Sequence, residues 1–122
     1  MKIAPIMLAF WLAVSDAAAA PVCKTGHRPI VAPCFTVHGR LQAWNGAPTF
    51  RIWRVGTTRV LGVADADNPW LPPQVASALD NDAFGKRITA DFKVCPLTKP
   101  KPGWMQMVCI VGASHVMKTD ER

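Results

Sequence analysis

Between residues 34 and 64 the chain alternates apolar and polar residues, and the alternation breaks at Asn45-Gly46 and again near Gly56-Thr57-Thr58. A period of two marks half-buried strands. It predicts three antiparallel strands over 35–44, 49–55 and 59–64. In the first, Val37, Gly39, Leu41 and Ala43 share one face, and His38, Arg40, Gln42 and Trp44 share the other. Gly39 inside that run indicates a bulge, a bend or close backbone contact, and small closed barrels need such bends. Asn-Gly is a strong hairpin signal. A two-residue loop would set Arg40 opposite Arg51, like charge against like charge. A four-residue loop pairs Arg40 with Trp53 and Gln42 with Arg51, and it frees Pro48 from a ladder to which it cannot donate. The longer loop is therefore expected. Either register places Phe50 and Ile52 in the core with Leu41 and Ala43. Arg54 falls on the same face and is expected at the sheet edge, its stem packed and its head in water.

The pattern changes after residue 64. Asp67-Asn68-Pro69 is turn chemistry. Pro72-Pro73 can start a helix, and Val75, Ala78 and Leu79 follow at helical spacing. So short a helix needs packing to persist. A fourth strand is predicted over 86–94, with Ile88, Ala90, Phe92 and Val94 inward, ending at Cys95-Pro96. A basic, proline-rich loop over 99–103 leads to a fifth strand over 105–111, resuming through Val116 after Gly112-Ala113. Trp70 and Trp104 stand in proline-rich loops and are expected to plug barrel ends. Three strands, a short helix and two strands is the element order of the OB-fold. The expected class is mainly β: a small five-stranded OB-like barrel with one short helix, stapled by disulfides. A β-sandwich is the other arrangement open to these elements.

The ends set the compartment. Met1-Lys2, the apolar run over 3–14 and the small residues over 15–20 have the order of a secretory signal peptide. The apolar run is too short to span a bilayer as a helix. Ala17-Ala18-Ala19 before Ala20-Pro21 places the cut after Ala19. The organisation expected is a leader over 1–19, an irregular arm over 20–34, a β-barrel domain over 35–117 and a tail over 118–122. The mature protein is then exported, periplasmic or extracellular, without a transmembrane segment. All four cysteines, Cys23, Cys34, Cys95 and Cys109, lie in the exported part, and an even number there implies a disulfide framework. Of three pairings, Cys23–Cys34 with Cys95–Cys109 is expected. The first would pin the arm, and the second would clip the proline-rich loop.

Little of the remaining chemistry survives scrutiny. His27, His38 and His115 have no metal-ligand spacing, the cysteines lack the close pairs a zinc site needs, and no C-x-x-C redox motif is present. Ser114-His115 suggests nucleophile and base, but adjacent strand residues point to opposite faces, and no G-x-S-x-G surrounds either mature serine. Asp65-Ala66-Asp67-Asn68 begins like a calcium loop, yet Trp70 and Ala76 stand where its glycine and glutamate belong. Phosphate-cradle glycine motifs are absent. No catalytic residue, metal or cofactor is indicated. The net charge of +6 favours anionic partners. One constellation fits that charge: His38, Arg40, Gln42 and Trp44 share a face with Arg51 and Trp53, where arginine can stack on tryptophan.

The segments P-C-F-T-V-H-G-R-L over 33–41, R-I-W-R-V-G-T over 51–57 and A-D-F-K-V-C-P-L-T over 90–98 resemble those of a group of small exported bacterial proteins to which no activity is assigned. The resemblance implies a one-piece exported domain and transfers no site residues. The function expected is a non-enzymatic binding or accessory module for an anionic polymer, single-stranded nucleic acid or acidic glycan. An envelope protein-interaction or inhibitor module and a small hydrolase are the alternatives.

Overall fold

The computed structural model describes residues 4–5, 22–24, 28–64 and 69–120. Most of the expected leader, His27 and the Asp65–Asn68 turn lie outside the described residues. The elements are β1 (Phe35–Ala43), β2 (Phe50–Arg54), β3 (Val60–Val63), α1 (Pro73–Leu79), β4 (Lys86–Pro96) and β5 (Gln106–Asp120). The protein is mainly β, and its five strands close into a ring in the order β1-β2-β3-β5-β4, with β4 returning to β1. All neighbours are antiparallel except β3 and β5, which run parallel.

The four-residue hairpin loop holds. Arg40 faces Trp53, Gln42 faces Arg51 and Ala43 faces Phe50, and the Trp44 amide donates to the Thr49 carbonyl at 2.7 Å. The inward faces of all five strands meet in one core that includes Leu41, Ile52, Leu61, Ile88, Phe92 and Ile110. Each such side chain contributes about 1.5–3 kcal/mol relative to exposure. Gly39 answers to close contact: a Cβ there would lie 2.3 Å from Ile52 Cγ2 and 3.1 Å from the Trp53 carbonyl oxygen. Arg54, opposite Gly39, is exposed as expected. The helix starts at Pro73, ends at Asp80 in left-handed conformation, and buries Val75 and Leu79 against β4 and β5.

Three expectations are corrected. First, the bridges are Cys23–Cys109 and Cys34–Cys95, not Cys23–Cys34 and Cys95–Cys109. The β1–β4 register pairs Phe35 with Val94, so the residue before β1 stands across from Cys95, with their Cα atoms 4.1 Å apart. Cys109 also faces Cys95 in the β4–β5 register, but with Cys95 taken it bonds the arm. The arm then lies along the sheet, and the Val31 amide donates to the Pro96 carbonyl at 3.0 Å. Second, β5 does not stop near residue 116. It pairs with β4 until Lys86 meets Asp120, so residues 118–120 of the expected tail are strand. Third, Trp104 plugs nothing and is 70% exposed.

Candidate functional site

Strand alternation puts Arg40, Gln42, Trp44, Arg51 and Trp53 on the outer face of the β1–β2 hairpin, where with Val60 they line one groove. The Arg40 guanidinium lies 5.2 Å from the Trp53 ring centroid, directly across the ladder. Arg51 lies 5.6 Å from the Trp44 ring on the diagonal. The hairpin's own turns fix these side chains. Arg51 Nε donates to the Pro48 carbonyl at 3.1 Å, and Trp53 Nε1 donates to the Thr57 carbonyl at 2.7 Å. Two cation–π pairs therefore stand side by side with their geometry set before any ligand arrives.

The groove continues past Val60. A second depression is lined by Arg59, Val60, Pro100, Lys101, Pro102, Trp104 and Gln106, so the two share one residue. Lys101 Nζ lies 4.9 Å from the Trp104 ring. Buried Gln106 anchors this end: it accepts from Arg59 through Oε1, and its Nε2 donates to the Thr98 carbonyl at 3.0 Å. Thr98 Oγ1 accepts from the Met107 amide at 2.9 Å, which ties the β4–β5 loop to its strand. The loops 44–49 and 97–105 converge over β3. A Cβ at Gly62 would lie 2.7 Å from Pro48 Cγ and 2.9 Å from Met105 Sδ. The β4–β5 loop shows no sequence period, so alternation could not reach Lys101 and Trp104. Their proximity as a cation and an aromatic in one short basic loop was the available signal.

His38 belongs to the same strand face but not to the groove. It donates from Nδ1 to Asp91 Oδ1 at 2.9 Å, and His115 donates from Nδ1 to Asp91 Oδ2 at 2.9 Å. Ser114 and His115 stand where strict strand alternation is interrupted. The β4–β5 register slips between Thr89 and Asp91, and His115 adopts φ 52°. Such a bulge re-aims side chains: Ser114 stands opposite Asp91 in the ladder while His115 reaches its carboxylate. The hydrogen bonds from His38 first and His115 second hold the Asp91 carboxyl below its ordinary value of 3.8.

Among the described residues no group of three or more metal-ligating side chains could hold an ion, and no helix is long and apolar enough to cross a membrane. No family model, curated protein or solved structure matches the chain.

Proposed function

We propose that this chain is an exported OB-type barrel that binds an anionic polymer, single-stranded nucleic acid foremost, across the outer face of β1, β2 and β3. The parallel β3–β5 pairing, the helix before β4 and the closure of β4 on β1 support the OB-type reading, in which this face and the loops after β1 and β4 form the ligand surface. The export reading rests on the leader-like first residues and agrees with two disulfides. The resemblance to small exported bacterial proteins points the same way.

The observation that carries the function is the row of cation–aromatic pairs: Arg51 with Trp44, Arg40 with Trp53, and Lys101 with Trp104. Cations along a backbone track, alternating with aromatic platforms, serve single strands because every base has a π-face. An acidic glycan would use the cations but gains less from three indoles.

The test is salt-dependent retention on oligothymidylate and on heparin. Wild type is expected to elute from oligothymidylate at a salt concentration that Arg51→Ala with Trp53→Ala abolishes. Trp104→Ala alone, at an exposed position, is expected to cost about 1–3 kcal/mol of affinity, the range for one stacked base. Retention on heparin but not on oligothymidylate would assign the face to acidic glycans. Flow-through on both at low salt would end the reading.

A further inference from the structure

The His38–Asp91–His115 cluster lies next to the groove. His38 is two residues from Arg40 on the same face of β1, roughly 7 Å along the strand, and Arg40 forms the nearer Arg–Trp pair. The two rings sit on the two oxygens of one carboxylate. Their side chains are 61% and 82% exposed while Asp91 is 32% exposed, so the rings are fixed from below and open above.

We infer that His38 and His115 form a second anion subsite, opened by protonation, that takes a phosphate of the same strand lying in the groove. This rests on the polymer-binding reading and extends it by one contact. Ionised Asp91 can only accept, so each histidine must spend its Nδ1 proton on it. The other nitrogen, Nε2, then carries a lone pair when the ring is neutral and an N–H when it is charged. Protonation therefore turns two acceptors, which repel a phosphate oxygen, into two charged donors, which bind it. The formal charge of the trio changes from −1 to +1. Imidazole is the side chain that makes this change between pH 5 and 8.

The surroundings favour that direction. Arg40 stands on β1 itself, while Arg54 of β2, paired with inward-facing Gly39, points to the other face. Lys93 of β4 occupies the next outward position beside Thr36, and β5 supplies His115. Asp91 is the one carboxylate in this set. Hydrogen bonds from both imidazoles keep it ionised through the same pH range, so the anchor persists when the rings become charged.

The experiment is fluorescence anisotropy of labelled oligothymidylate at pH 5.5 and 7.5 over a salt series, with wild type and the double variant His38→Gln, His115→Gln. His27 is unchanged in both proteins. Wild type is expected to bind about tenfold or more tighter at pH 5.5, the scale of one charge-assisted hydrogen bond. The slope of log K against log salt should steepen by about 0.7 for each added phosphate contact. The double variant should match wild type within about twofold at pH 7.5 and lose most of the gain at pH 5.5. Equal tightening in both proteins overturns the subsite. A parallel NMR titration with inorganic sulfate, following the ring Cε1–H signals, separates the two readings. If oligothymidylate never binds, the polymer reading fails, while shifts of both His38 and His115 signals at pH 5.5 and not at pH 7.5 uphold an anion subsite. Unmoved signals at both pH values sink it.

Discussion

At His115 local preference and position disagree. Its φ of 52° lies in a region that costs an L-residue roughly 1–2 kcal/mol, though histidine tolerates it better than most. Backbone strain of this kind collects where a side chain must be aimed, and here it delivers an imidazole to Asp91. Both His115→Gly and His115→Val lose the Asp91 hydrogen bond, but glycine adopts this φ freely, so His115→Gly is expected to be more stable than His115→Val by about 1–2 kcal/mol. Equal losses in the two variants would show that the backbone is not strained there. Asp91 makes a separate prediction. Its folded-state pKa is depressed, so the stability it confers is in place above its ordinary value and is lost as pH falls through the folded value. Thermal melts between pH 6 and pH 3 should show wild type exceeding Asp91→Asn at the upper end and converging with it at the lower. Parallel curves would detach Asp91 from acid stability.

At the scale of elements, the β1–β2 hairpin was legible because local forces set it. Asn45-Gly46 marks the turn, the avoidance of Arg40 against Arg51 selects the loop length, and alternation then places Arg40, Gln42, Trp44, Arg51 and Trp53 together. Their two cation–π pairs follow from that register alone. The helix was legible from Pro72-Pro73 and three spaced apolar residues. What escaped depends on partners distant in sequence. The Cys34–Cys95 bridge follows from β1 lying beside β4, and that neighbour relation arises only when the ring closes. β5 read as interrupted because Gly112-Ala113 and the bulge at His115 break its period, yet β4 pairs along it from Val108 to Asp120. Lys101 and Trp104 lie in a loop whose position is set by Gln106 and Thr98, and His38 found Asp91 through a strand that the sequence places far away.

For the molecule as a whole, the disulfides lie away from the β1–β2 part of the proposed binding face. Cys34–Cys95 ties the start of β1 to β4, and Cys23–Cys109 ties the arm to β5. No cysteine lies in β2, which with β1 carries Arg40, Arg51 and Trp53 of the cation–aromatic row. The bridges span 61 and 86 residues, and the chain-entropy picture assigns about 4 kcal/mol to each loop of that length. The double variant Cys34→Ser, Cys95→Ser should lose about 2–5 kcal/mol in a denaturant titration while its folded fraction keeps its affinity for oligothymidylate. Loss of affinity in the folded fraction would mean that the bridge shapes the face as well as the ring.

The nested pairing of the cysteines carries a consequence for proteolysis. Residues 23–34 and 95–109, joined at both ends by sulfur, form one closed covalent circuit. The exposed loop bearing Lys101 and Trp104 is part of that circuit. A single nick after Trp104 would leave both pieces fastened together through Cys23 and Cys109, so the surface offered to a ligand can be open to cleavage without the molecule coming apart.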